Sequence, residues 1–150
     1  MVAILGALTA VAALSVRQPL KRAELELFVE QLKAMDANAR EHASRGETLS
    51  LELDLLESSF ALVNDVRKTR VSEISIPPSV QIGTLEGFKK IRSRDQAWSV
   101  RLSEFGTSST YGFSLGLADR TQRWIVFLGL TGQPYSFESR DPFDSILRVQ

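Results

Sequence analysis

The stretch Gly112-Phe113-Ser114-Leu115-Gly116 matches G-x-S-x-G, the nucleophile elbow of many hydrolases. In that motif the serine occupies a sharp turn between a strand and a helix, and an acid and a histidine follow it in the chain. Here Ser114 lies within alternating polar and apolar residues, and the single histidine, His42, precedes it. Because so short a pattern often arises by chance, the sequence favours a strand with two glycines over a catalytic serine. Near the end of a predicted helix, His42 is expected to be a surface residue favoured by the helix dipole.

Three carboxylates near the C terminus, Glu138, Asp141 and Asp144, could together hold a hard cation such as calcium. They lack the dense alternation of oxygen ligands that such ions usually require. A solvated loop is therefore the favoured interpretation, and a cation site stays open as the alternative. The chain contains no cysteine, which excludes disulfides and thiolate metal sites.

Seven of the eighteen Lys and Arg residues fall within 28 positions: Arg67, Lys68, Arg70, Lys89, Lys90, Arg92 and Arg94. Phosphate binding is conceivable, but Glu73 and Glu86 lie between them and aromatic residues are sparse. The formal net charge is zero, which provides no global field to attract nucleic acid. A solvated face or a subunit contact is the favoured interpretation.

Sequence signatures of phosphate, dinucleotide and zinc-protease sites are missing from the chain. We therefore expect that the protein is not an enzyme and that it has no catalytic, cofactor-binding or metal-binding residues. For the same reason we expect no cofactor, no small-molecule substrate and no nucleic-acid partner.

A long N-terminal helix is predicted over residues 2–45. Apolar residues recur there at three- and four-residue steps, in one stripe: Leu25, Phe28, Val29, Leu32, Met35, Ala39 and Ala43. Gly46 stands where a C-terminal cap belongs, and Pro19 should bend the helix. Such a helix is about 66 Å long, so part of it must extend beyond a 150-residue domain.

Two charge pairs on this helix have the i,i+4 spacing that favours ion pairs. They are Arg22 with Glu26 and Asp36 with Arg40, and both are expected on the exposed side.

From residue 48 the apolar period falls to two, which predicts short strands. Leu49, Leu51, Leu53 and Leu55 are expected on one face, and Ser50, Glu52 and Asp54 on the other. Further strands are predicted at 58–63, 71–76, 97–105, 111–117 and 123–130, and "WIVFL", apolar on both faces, should be central. The predicted fold is α+β, with the helix of residues 1–46 packed on an antiparallel β-sheet domain of residues 47–150.

The first sixteen residues carry no charge. They are too few for a membrane span, which needs about 20 residues, and no basic residues precede them as in a signal peptide. Gly6 and several alanines leave a buried core helix little to bury. Residues 1–16 are therefore interpreted as one half of a longer membrane or filament helix, and residues 20–46 as its amphipathic part.

The layout resembles a known family. "VAILGALTAVAALSV", running unbroken into an amphipathic helix, resembles the N-terminal region of type IV pilin-like proteins. "LSEFGTSSTYGFSLGL" followed by "RWIVFLGLTGQPYSF" is similar to the closing β-region of the H-type minor pseudopilins of type II secretion. The residues that carry this second resemblance are Phe105, Gly106, Ser108, Ser109, Thr131 and Gly132.

The family begins with a basic leader that ends in Gly and is cleaved before a Phe, with a Glu five residues into the mature chain. This sequence has none of these, and "AILG" fits about eight residues into the family's helix. We therefore expect an upstream start that supplies the leader, the Glu and a full membrane span.

The resemblance implies a pilin-like fold and a structural subunit of a type II secretion pseudopilus or a type IV pilus. It implies a single-pass protein of the bacterial inner membrane, with the globular domain on the periplasmic side. Its partners would be other pilin-like subunits, reached through the N-terminal helix, and membrane lipid. The alternative is a membrane-tethered or soluble binding module, non-catalytic, whose N-terminal helix docks on a partner.

Overall fold

In the computed structural model, the backbone is described for residues 2–148 and the side chains for residues 17–148. This part of the chain forms a long helix, α1 (Val2–Ser44), then nine strands and a short helix, α2 (Arg140–Arg148). The strands are β1 (Leu49–Asp54), β2 (Ser59–Asn64), β3 (Thr69–Ser75), β4 (Gln81–Glu86), β5 (Lys89–Lys90), β6 (Ala97–Arg101), β7 (Tyr111–Gly116), β8 (Gln122–Phe127) and β9 (Pro134–Phe137).

The strands form two separate antiparallel sheets. Sheet A has the order β3-β2-β1-β6-β5, and sheet B has the order β4-β7-β8-β9. The class is α+β, but the predicted pilin-like fold, with the helix on one antiparallel sheet, is wrong. Residue periodicity identifies a strand without identifying its neighbour, so it did not reveal that β1 pairs with β6 while β7 pairs with β4.

Helix α1 has nearly the predicted extent and runs through Pro19. A bend at Pro19 stays a prediction. Gly46 ends the helix with φ +94°, and its amide donates to the carbonyl of Ala43 at 2.9 Å. This left-handed conformation after the last helical turn is the predicted glycine cap. The proposed membrane or filament part, residues 1–16, lies outside the described side chains.

The predicted apolar stripe of α1 is confirmed as the centre of the core. All seven of its members are buried, and five of them share one cluster with residues of both sheets. Phe28 contacts Phe60 of sheet A with ring centroids 6.2 Å apart, and Phe60 contacts Phe113 of sheet B at 5.3 Å. The helix and the inner faces of the two sheets therefore share one hydrophobic core.

Helix α2 covers the other face of sheet B. Phe143 of α2 is fully buried against Trp124 and Val126 of β8. Gly112 makes room for it, because a Cβ there would lie 2.7 Å from the Phe143 ring. The two apolar faces of "WIVFL" are thus explained by the core on one side and α2 on the other. Strand β8 is central, as predicted.

On β1 the polar residues lie opposite the leucines, as predicted, but they are not open to solvent. Ser50, Glu52 and Asp54 are all buried. Ser50 donates to Asp65 at 2.8 Å, and Arg94 from the loop before β6 donates to Glu52 at 2.5 Å. Polar side chains from neighbouring turns therefore cover this face of the sheet.

Replacing Phe28 with Ala should lower the free energy of unfolding by about 3–5 kcal/mol, because its ring fills the space between helix and sheets. Urea unfolding measures this loss. The adjacent Leu27→Ala is the matched control: Leu27 is exposed, and its loss should change stability by no more than about 0.5 kcal/mol. Equal losses for both variants would contradict the assignment of the core face.

Candidate functional site

The G-x-S-x-G motif lies within a strand. Ser114 is buried in β7, and its Oγ accepts a hydrogen bond from the amide of Thr84 in β4 at 3.0 Å. It therefore lacks the strand-to-helix turn that exposes a nucleophilic serine. His42 lies in the last turn of α1, half-buried, with its Nδ1 3.0 Å from Glu47. The serine stabilises the pairing of β4 with β7.

The three C-terminal carboxylates are engaged in different contacts. Glu138 pairs with Arg123 at 2.8 Å, Asp141 lies in the first turn of α2, and Asp144 pairs with Arg140 at 3.1 Å. Within the described part of the chain, no cluster of three or more His, Asp or Glu side chains is arranged to hold a metal ion.

The basic residues that cluster in sequence lie at opposite edges of sheet A. Arg67 and Lys68 belong to the turn between β2 and β3, and Arg70 to edge strand β3. Lys89 and Lys90 form β5, the other edge. Four strand spacings, roughly 19 Å, separate these edges, so the residues do not make one basic patch.

Two of these arginines are also neutralised locally. Arg70 pairs with Glu57 and Glu73, which raises the pKa of its guanidinium, chiefly through the hydrogen bond to Glu57. Arg94 pairs with Glu52.

A buried polar network joins α1 to sheet B. The side chain of Asp36 is 3% exposed and that of Arg40 is 10% exposed, so the prediction of an exposed pair is wrong. Arg40 Nε donates to Asp36 at 2.7 Å, and the hydroxyl of Tyr111 in β7 donates to the other carboxylate oxygen. Burial, followed by the charge of Asp36, raises the pKa of Tyr111 well above its usual value.

The rest of the Arg40 guanidinium binds two turns that are distant in sequence. Its NH1 donates to the carbonyls of Gly106 at 3.1 Å and Gly129 at 2.9 Å, and its NH2 donates to Ser108 Oγ at 3.1 Å. We name these segments the 103–109 turn and the 128–133 turn. One side chain of α1 therefore holds both turns at the same end of the domain.

Glycine is required in both turns because the helix lies so close. Gly106 has φ +72° and Gly132 has φ +69°, a region that other residues rarely adopt. A Cβ on Gly106 would lie 2.7 Å from the carbonyl oxygen of Arg40, and one on Gly132 would lie 2.4 Å from its Cδ. Backbone conformation and lack of space both disfavour a larger residue, through the backbone of Arg40 at Gly106 and through its side chain at Gly132.

The two turns present large apolar side chains to solvent. Phe105 is 78% exposed and Leu130 is 81% exposed, each next to a glycine whose carbonyl binds Arg40. An open groove of about 570 Å³ borders Phe105 and continues along Thr48 and Arg101. We call Phe105, Leu130 and this groove the end surface.

Three of the six tail residues singled out in the sequence lie against Arg40. Gly106, Ser108 and Gly132 contact its side chain or backbone, and Phe105 lies beside them. The i,i+4 spacing of Arg40 and Asp36 predicted a surface pair and gave no sign of the contact between Arg40 and these tail residues.

A signal for the buried pair was present in the helix. Asp36 falls in the heptad 25-29-32-36-39-43, seven residues after Val29 and four after Leu32. A charge at such a position is buried with the stripe and requires a partner there.

A second stripe lies on the outer face of α1. Its two leucines, Leu20 and Leu27, are 59% and 62% exposed and seven residues apart. Exposed alanines lie on the same face at helical spacing, with the charged Glu30 between Leu27 and the last two of them: Ala23, Ala34 and Ala37. We call these five residues the outer stripe. It faces away from the core because α1 buries only one side.

Comparison of the chain with protein-family models, with curated proteins and with solved structures gave no match.

Tyr111 should remain un-ionised in the folded protein well above pH 10, because its pKa is raised by burial and by Asp36. The unfolded chain loses this proton near pH 10, so the contribution of Tyr111 to folding stability should be constant below pH 10 and fall as the pH rises above it. Ultraviolet titration of Tyr135→Phe, which leaves Tyr111 as the single tyrosine, measures this. Ionisation near pH 10 with the fold intact would contradict burial of the hydroxyl.

Proposed function

We propose that the chain is a structural, non-catalytic subunit of a type II secretion pseudopilus or a type IV pilus, similar to the H-type minor pseudopilins. It acts in protein secretion or pilus assembly by helix packing and subunit contacts. Its partners are other pilin-like subunits and the lipid of the bacterial inner membrane, with the globular domain on the periplasmic side. The proposal does not require the single-sheet fold that the structure contradicts.

The observation that carries the proposal is the outer stripe of α1. The buried apolar stripe from Leu25 to Ala43, which we call the inner stripe, anchors the helix in the core. Leu27 therefore faces outward, Leu20 lies on the exposed stretch just before the stripe, and neither leucine is covered by the rest of the described chain. Burying one leucine in a partner contact yields about 1.5–3 kcal/mol. Alanines along the same face allow another helix to approach closely. This surface suits a neighbouring helix better than it suits a substrate.

The first described side chains of α1 lie outside the core, which supports a helix that contacts other subunits. Residues 17–24 are all exposed, and burial begins at Leu25. Two polar contacts are made in this region: Arg22 pairs with Asp119 at 3.3 Å, and Ser79 donates to Glu24 at 2.8 Å. The predicted pairing of Arg22 with Glu26 is wrong, because Glu26 pairs with Arg123 at 2.6 Å. Within the part of the chain that the structure describes, neither helix combines the length and apolar character needed to cross a bilayer.

Cross-linking tests the outer stripe directly. The chain has no cysteine, so Leu27→Cys introduces a single thiol at its centre. A maleimide–benzophenone attached to that thiol and irradiated should link it to a subunit in assembled material, because the benzophenone inserts into a C–H bond of a helix packed about 8–10 Å away and needs no second thiol. Mass spectrometry should identify that subunit as a second copy or as another protein with a pilin-type helix.

The matched control is Leu56→Cys, in the turn after β1, where the side chain is also exposed. Equal linking at both positions, or no linking at Leu27→Cys, would contradict helix packing. A product linked to an unrelated protein would favour the alternative, a binding module with a docking helix.

A chain that begins at residue 20 should fold as a soluble monomer with a melting temperature close to that of the full chain. The reason is that the core stripe begins at Leu25. The full chain should associate or need detergent, because residues 1–16 carry no charge. Sedimentation and thermal unfolding measure both properties. An unfolded short chain beside a monomeric, soluble full chain would show that residues 1–16 belong to the core.

A further inference from the structure

We infer that Arg40 couples the two turns of the end surface, so that the 103–109 turn and the 128–133 turn open as one unit. The inference goes beyond the proposed function and concerns the folded monomer. Its test can therefore succeed or fail whether or not the chain assembles into a filament.

The first step is the sharing of one guanidinium. Arg40 uses three nitrogen atoms to reach four acceptors: Asp36 on its own helix, Gly106 and Ser108 in one turn, and Gly129 in the other. These acceptors belong to three separate chain segments. A displacement of Arg40 removes bonds from both turns at the same time.

The second step is geometric. A guanidinium holds its five N–H donors in one rigid plane, whereas the lysine ammonium is a compact point charge. Lysine at position 40 could retain the pairing with Asp36, but it could not serve carbonyls of both turns in this arrangement. The planar guanidinium group of Arg40 therefore joins the two turns.

The third step concerns what the buried pair contributes. Burying an ion pair costs desolvation, and apolar residues of similar size often stabilise a protein as well or better. Asp36 and Arg40 are therefore poorly explained as a source of stability. Their contacts do align the backbone on either side of Phe105 and Leu130, whose side chains remain outside.

The turns also contact each other directly. The amide of Ser108 donates to the carbonyl of Gly129 at 2.9 Å, and the amide of Gly129 donates to Thr110 Oγ1 at 2.9 Å. A test must separate coupling through Arg40 from coupling through these bonds. Substitutions on the helix and in one turn, alone and combined, make that separation.

Hydrogen exchange on the full chain, in detergent if it is needed, provides the readout. In Arg40→Lys the amides of Gly106, Ser108 and Gly132 should exchange about tenfold faster or more, relative to amides of β1 and β2. The matched control is Arg45→Lys, at the first residue after α1, where the arginine pairs with Glu41 at the surface. It should leave these three amides unchanged.

A substitution within one turn tests transmission to the other. Gly132→Ala drives a Cβ into the Arg40 side chain and should accelerate exchange at Gly106 and Ser108. Its control is Gly46→Ala, which has the same strained positive φ but nothing within 4 Å of the added Cβ. That variant should leave the 103–109 turn protected.

In the combined variant Arg40→Lys with Gly132→Ala, the effect of Gly132→Ala on the 103–109 turn should disappear. Its persistence would assign the coupling to the direct bonds between the turns and overturn the inference. Faster exchange in only one turn of Arg40→Lys would overturn it also, as would an equal acceleration of all amides. The last result would mean that Arg40 stabilises the whole fold without joining the turns.

Discussion

The rest of the structure depends on burying one face of α1 against two sheets at once. The inner faces of sheets A and B contact each other through Phe60 and Phe113, and the helix closes the core beside them. Among the described residues, no strand of sheet A is paired with a strand of sheet B through backbone hydrogen bonds. Apolar packing that includes α1 therefore sets their relative position, and a shift of the helix would disturb both sheets.

The rotation of α1 that buries this face also decides where its other residues lie. It places Asp36 inside, where a carboxylate must have partners, and Arg40 and Tyr111 supply them. The same rotation leaves Leu20 and Leu27 outside. The buried ionic network and the exposed outer stripe are thus two consequences of one helix orientation. From Leu25 onward the side of the helix opposite the proposed assembly surface belongs to the core, which anchors Leu27 and the alanines after it.

Features governed by short-range periodicity were predictable from the sequence. The inner stripe, the glycine cap at Gly46 and strands β1, β2, β3, β7 and β8 follow from local spacing. The division into two sheets was not predictable, because pairing is a long-range choice. Strand β4 was missed because Gly83 interrupts its alternation, and α2 because nine residues give a weak helical signal.

The candidate site was only half predictable for the same reason. The glycines of the tail are recognisable as turn residues, yet the need for Gly106 and Gly132 comes as much from the helix beside them as from their φ angles. Their partner, Arg40, lies 66 residues before Gly106. The i,i+4 spacing of Asp36 and Arg40, taken alone, predicts a surface ion pair. The family-like tail and the amphipathic helix, noted separately in the sequence, are the two sides of one contact. The turns supply one donor of their own, the amide of Ser108 at the carbonyl of Gly129, whereas the guanidinium of Arg40 reaches carbonyls of both turns at once, which a residue within either turn is not seen to do.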